Sequence, residues 1–163
     1  MNARREPPPW IRLDKIDWLI LQELQSEGRI TNVELARRVG ISPPPCLRRL
    51  RSLEEAGFIL GYHAQLNPKL LGFEVEAYAM VRLNSQAEPD ITAFESLARE
   101  WPYVRDCVLL TGDIDFLLKC VAPDLESFQN FITRDLSAAP HIDQFRTAMT
   151  IRRAKSEPGL PLE

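Results

Sequence analysis

Residues 31–62, TNVELARRVGISPPPCLRRLRSLEEAGFILGY, decide how this chain is read. Thr31 followed by Glu34 is a T-x-x-E capping box that opens a helix, and Gly40 stops that helix after Val39. Ser42 then supplies an N-cap, and Pro43 fits the first helical position, where a missing N–H costs nothing. The next helix runs to about Ala56 and ends at Gly57. Two short helices joined by a tight glycine turn predict a helix-turn-helix.

The second of these helices has two unlike sides. At about 100° per residue, Cys46, Leu47, Leu50 and Leu53 cluster on one side. Pro44, Pro45, Arg48, Arg51 and Ser52 fall on the other, with Arg49 on the flank. Leu35, Ala36 and Val39 of the preceding helix provide a surface for the leucines, and the small Ala36 lets the two helices cross closely. A helix that turns arginines away from its leucines is built to enter an anionic groove. Its first residues would meet base edges, and its arginines would meet phosphates or guanine.

Working outward, residues 13–25 predict a further helix with Ile16, Leu19, Ile20 and Leu24 on one face, Asp14 or Asp17 near its start, and Gly28 after its end. Residues 58–66 are apolar and strand-like, and predict a returning wing. The N-terminal part therefore reads as a winged helix-turn-helix.

Charge supports this placement. The net charge of -3 conceals an asymmetry: residues 1–66 hold ten Lys/Arg against eight Asp/Glu, and residues 67–163 hold ten against fifteen. Between Arg29 and Arg51 there are six arginines and a single acid, Glu34. An acidic protein can thus carry a focused basic patch, which is what a phosphate backbone feels.

The chain divides at residues 67–72, NPKLLG, where Asn-Pro and Gly interrupt the pattern. Beyond it the periodicity changes. Residues 73–83 alternate as a strand, residues 89–101 place Ile91, Phe94, Leu97 and Ala98 on one helical face, and residues 104–110 and 114–121 are short apolar strands flanking Thr111-Gly112-Asp113. Residues 125–136 are helical, and residues 142–151 alternate again. The order βαββαβ predicts a ferredoxin-like domain, whose sheet carries helices on one face and leaves the other to be covered by a second copy. The fold class is α+β, and the expected divisions are a disordered tail over 1–12, the DNA-binding domain over 13–66, a linker over 67–72, a second domain over 73–153 and an extended tail over 154–163.

Other classes find little support. No apolar run approaches the roughly 18 residues of a membrane helix, and MNARREPPPWIR lacks the apolar core of a signal peptide, so a cytoplasmic protein without a membrane partner is expected. Cys46, Cys107 and Cys120 have no CxxC spacing, and His63 and His141 are far apart, so no metal site is expected. Asp113 and Asp115 are paired carboxylates with no nearby His or Lys. No nucleophile elbow, Walker loop or dinucleotide fingerprint occurs, so no catalytic residue or cofactor is assigned.

The segments LDKIDWLILQELQSEGRITNVELARRVGIS, PCLRRLRSLEEAGFILGYHAQLNP and LLTGDIDFLLKCVAPD resemble the Lrp/AsnC (leucine-responsive/asparagine-regulator) family of prokaryotic transcription regulators, over roughly residues 13–153. The resemblance implies a helix-turn-helix reader joined to a βαββαβ domain of the RAM type. That domain dimerises, assembles into tetramers or octamers and senses an amino acid, in a nucleoid-associated cytoplasmic regulator of amino-acid metabolism genes. It implies DNA contacts among Asn32, Arg38, Ser42, Pro44, Cys46, Arg48, Arg49 and Arg51, with Ser42, Arg48, Arg49 and Arg51 foremost and Asn32 and Arg38 on the backbone. Pro44 stands where relatives often carry a hydroxyl, and Arg48 where they are often acidic or polar. For the effector it implies Gly112, Asp113 and Asp115, with Thr147, Met149 and Thr150 lining the same pocket. A purely architectural, DNA-compacting protein without an effector is the alternative.

Overall fold

The computed structural model describes residues 13–157 and 159–162. The proline-rich segment expected as a disordered tail over 1–12 lies outside the described residues. The chain forms two compact units, one of Met1–Gln65 with Lys155–Glu163 and one of Leu66–Ala154.

The first unit contains α1 (Lys15–Ser26), α2 (Asn32–Val39) and α3 (Pro43–Glu55). Asp14 caps α1 by accepting the N–H groups of Ile16 at 2.8 Å and Asp17 at 3.0 Å, and the Asp17 carboxylate accepts the Asp14 N–H in return. Two otherwise orphaned donors of the first turn are satisfied in this way. At α2, Thr31 Oγ1 accepts the Glu34 N–H at 3.2 Å. The Glu34 carboxylate turns to Arg37 and Arg38, so only half of the expected capping box forms. Gly40 takes the left-handed conformation at φ 75°, which lets its N–H return to the carbonyls of Ala36 and Arg37 and turns the chain toward α3. Ile20, Leu35, Ala36, Val39, Cys46 and Leu53 form the buried core, and Ile16, Leu24, Leu50 and Ile59 pack around it.

Two expectations for this unit change. Residues 58–66 form no strand: the segment has no regular structure and no antiparallel partner among the described residues, and Leu60 is 97% exposed. Residues 159–162, within the segment expected as an extended tail over 154–163, lie against α1. Leu160 N–H donates to Gln25 Oε1 at 2.8 Å, and the amides of Gln22 and Gln25 donate to the carbonyls of Leu162 and Leu160.

The second unit opens with a short 3-10 turn, Lys69–Leu71, and continues as β1 (Val75–Leu83), α4 (Glu88–Glu100), β2 (Val104–Leu109), β3 (Phe116–Ala122), α5 (Leu125–Phe131) and β4 (Ile142–Met149). The four strands pair antiparallel in the order β2-β3-β1-β4. Strict alternation in β1 and β3 buries Val75, Ala77, Ala79, Val81 and Leu83 with Phe116, Leu118, Cys120 and Ala122. Phe94, Phe128, Phe131 and Leu136 join them in one core, where Trp101 meets Phe131 edge-on at 5.5 Å between ring centroids. The helix expected over 125–136 is continuous in space but widens after Phe131 into a π-turn, Ile132–Leu136, closed by the Ser137 N–H on Ile132 O at 2.9 Å. The opposite face of the sheet carries Tyr78, Met80, Arg82, Leu117, Lys119 and Val121, none of them buried.

Candidate DNA-binding face and effector pocket

Ser42 occupies the N-cap position of α3 but its side chain caps nothing, so its hydroxyl is exposed at the start of the helix. One turn on, Pro44, Leu47, Arg48, Arg51, Ser52 and Glu55 line a shallow groove of about 280 Å³. Arg48 and Arg51 are neighbours at i, i+3, and among the described residues neither forms a salt bridge. Leu47, expected on the apolar side, lies in this groove instead. The core-facing arc of α3 is narrower than the leucine pattern suggests, with only Cys46 and Leu53 fully buried.

The remaining expected contacts are differently engaged. Arg49 Nη1 lies 2.7 Å from Asp14 Oδ2 and 2.8 Å from Asp17 Oδ1. The Asp17 and Asp14 carboxylates strengthen the guanidinium's hold on its proton. The Asp14 carboxyl is held below the usual carboxylate range, first by the Asp17 backbone N–H and then by Arg49. Arg38 is clamped by Glu34 at 2.9 Å, Glu23 at 3.0 Å and Glu27 at 2.8 Å. Arg37 and Arg38 together hold the Glu34 carboxyl down to about 2. Asn32 spends its amide on Pro43 O at 2.9 Å, joining the start of α2 to the first turn of α3. Arg38 therefore ties α2 to α1 and Asn32 ties α2 to α3, where backbone contacts to DNA had been expected. Cys46 is a clear correction: it is 0% exposed inside the helical core, and burial pushes its thiol pKa up, so it does not reach the surface.

In the second unit, Gly112 at φ 129° shapes the turn between β2 and β3, a conformation that favours glycine. Asp113 follows it and borders a concavity of about 310 Å³ with Met80, Arg82, Ile114, Gln144, Phe145 and Arg146. Asp115 does not share that role. Its side chain is buried, with Oδ2 accepting the Leu83 N–H at 2.7 Å and Oδ1 accepting the Gln86 amide at 2.8 Å. With both oxygens engaged by the chain, this carboxylate supports the turn and is absent from the lining of the concavity. Thr147, Met149 and Thr150 are not brought to the concavity either. Thr147 faces the helix side opposite Ala79, and Met149 pairs with Ala77, about 10 Å along the strand from Arg146 at roughly 3.3 Å per residue. Thr150 bonds to Glu76 through both its N–H and its hydroxyl.

Sequence reasoning missed Arg82 and Arg146. Alternation alone places each on the open face, but bringing them together requires the β1–β4 register, which sets Met80 against Arg146 and Arg82 against Gln144. A helix-turn-helix with free arginines on its second helix, followed by a βαββαβ unit with a charged concavity, defines a DNA-binding regulator with a ligand-sensing domain. Comparison with known proteins agrees. Residues 13–59 match a family described as winged helix-turn-helix DNA-binding, and residues 76–160 match the Lrp/AsnC ligand binding domain. The leucine-responsive regulatory protein of Rhizobium meliloti is 52% identical over 89% of this chain and 93% of its own length. That of Escherichia coli K12 is 38% identical over 93% of this chain and 92% of its own. A transcriptional regulator of Neisseria meningitidis, solved in complex with L-Met, superposes with a TM-score of 0.88 at 38% identity, covering 93% of this chain and 97% of that one. This chain belongs to the Lrp/AsnC family of DNA-binding transcription regulators, a family not known to contain enzymes.

Proposed function

We propose that this regulator answers to a free amino acid bound between Asp113 and the Arg82/Arg146 pair, and that it controls genes of amino-acid metabolism. The observation that carries the reading is the composition of the concavity. One carboxylate suits an α-ammonium group, two guanidinium groups suit an α-carboxylate, and Met80 and Ile114 offer apolar surface to a side chain. The Neisseria relative solved with L-Met supports it by similarity. Arg82 is only loosely engaged by Asp143, at 3.8 Å, and can be recruited.

The regulator works as a homodimer that assembles further into tetramers or octamers on the chromosome in the cytoplasm. The sheet face away from the helices supports this: Tyr78, Met80, Leu117 and Val121 are large groups that one chain covers only in part. On the DNA side, Ser42, Arg48 and Arg51 contact the operator directly, while Arg49 holds α3 against α1. Amino-acid binding then shifts assembly and the half-sites that two readers can span together. The test is a gel shift and a sedimentation run with each of the twenty amino acids. A change in affinity or size with one or a few of them is expected. No response to any would leave a DNA-compacting protein without an effector.

A further inference from the structure

Helix α1 is half-buried on two opposite sides. Ile20 points into the core, and roughly half a turn away Trp18, Gln22 and Gln25 form a second stripe that is also only partly exposed. The C-terminal residues of the same chain lie against that stripe. The side-chain amide of Gln25 pairs with both backbone groups of Leu160, donating to its carbonyl and accepting its N–H at 2.8 Å, as a neighbouring strand would. Gln22 Nε2 adds a bond of 2.9 Å to Leu162 O, and Leu162 is half-buried while Leu160 remains 68% exposed.

Gly159 explains how the segment comes so close. It sits at φ 78°, and a Cβ built there would fall 2.1 Å from Gln25 Oε1, inside the very group that makes the pair. We infer that the Gln22/Gln25 stripe of α1 is a docking surface whose occupant is the chain's own residues 159–162, a latch that closes the C-terminus onto the DNA-binding unit.

The consequence lies in connectivity. The chain passes from the first unit to the second after Gln65 and returns at Lys155, after β4 has ended. With the latch closed, the DNA-binding unit is tied to the neighbouring unit by two stretches of chain. With it open, one stretch remains. Because the occupant is covalently attached, a few amide bonds suffice to hold it, since docking is intramolecular and its effective concentration is high.

Hydrogen exchange on the full chain tests this. The Leu160 amide, which donates to Gln25, should exchange at least about tenfold more slowly than an unprotected amide. That protection should vanish in the Gln22→Ala/Gln25→Ala variant and in Gly159→Ala, with α1 itself still folded. Free-rate exchange of Leu160 in the unaltered chain overturns the latch, as does protection that survives in both variants. Protection that disappears on dilution places the segment on a second copy and overturns docking within one chain.

Discussion

Arg49 Nη1 lies 2.8 Å from Asp17 Oδ1, so one guanidinium joins the first turn of α1 to the middle of α3. Asp17 is only 15% exposed and also returns a bond to the Asp14 N–H, so the cap of α1 and the seating of α3 share a carboxylate. Arg49 thus ties α3 to the capped start of α1. Asp17→Asn and Arg49→Ala are expected to lower the stability of the DNA-binding unit by about 1 kcal/mol each, a value kept small because Arg49 is one-third exposed and screened by solvent. They should also be non-additive in a double-mutant cycle. Both should weaken operator binding. A role for Arg49 confined to touching DNA would leave stability unaltered and Asp17→Asn silent, and denaturant titration separates the two.

Cys46 offers the opposite contrast. Its thiol is enclosed with Ile20, Leu35 and Val39, which offer a hydroxyl no partner and leave it only the Ser42 carbonyl one turn back. Cys46→Ser should cost about 1–3 kcal/mol of stability through the buried polar group. Well below the melting transition, its operator affinity should equal that of the unaltered protein. A selective loss of affinity with stability intact would return Cys46 to the DNA surface.

Arg48 and Arg51 form no salt bridge among the described residues and border one groove, so they are available to phosphates without breaking an existing ion pair. Replacing either by Ala should reduce the steepness of log K against log salt by about one unit for a phosphate contact. A base contact would instead relax preference at one operator position while leaving that slope in place. Binding measured across a salt series on intact and substituted operators distinguishes these outcomes.

Much of this architecture was legible before any coordinates. The caps at Asp14 and Thr31, the start of α3 at Ser42-Pro43, the turn at Gly40 and the alternation in β1 and β3 are local features, each written within a few residues. Periodicity supplied the βαββαβ order for the same reason. What stayed hidden depends on distant partners. Asp17 and Arg49 are 32 positions apart, and nothing in the spacing distinguishes an arginine facing solvent from one facing a carboxylate. Arg82 and Arg146 meet through strand register, and Asp113 and Asp115, two residues apart, point to opposite fates because one enters a backbone network. Residues 58–66 have strand-like composition, but a strand also needs a partner, which composition does not specify.

Glu34 provides a pH signature. Hydrogen bonds from Arg37 and then Arg38 bring its carboxyl from the usual 4.5 down to about 2. A folded-state pKa below the unfolded one contributes stability that is present above about 4.5 and is lost as pH falls toward 2. The group is solvent-exposed, so the contribution is small and salt-sensitive. NMR titration of Glu34 should give a midpoint near 2, moving up toward 4.5 in Arg37→Gln and at high ionic strength. A midpoint at the ordinary value in the unaltered protein would show that the Arg37 pair does not persist in solution.

Asp113 and Asp115 separate the proposed effector contact from support of the fold. Asp113 borders the concavity opposite two guanidinium groups, and its replacement by Asn removes a charge without removing a fold contact. Asp113→Asn should therefore blunt any amino-acid response while the melting transition stays in place. Asp115 accepts two hydrogen bonds from donors, the Leu83 N–H and the Gln86 amide. In Asp115→Asn the new NH₂ faces Gln86, whose amide must flip to accept it, and the buried Leu83 N–H exchanges a charged acceptor for a neutral one. That should cost about 1–3 kcal/mol and loosen the end of β1 where Arg82 sits. Thermal shift without ligand should thus drop for Asp115→Asn and not for Asp113→Asn, and the amino-acid-induced shift should disappear for Asp113→Asn. An unaltered ligand-induced shift in Asp113→Asn would move the effector to another part of the domain, and a stable Asp115→Asn would remove the structural role assigned to that carboxylate.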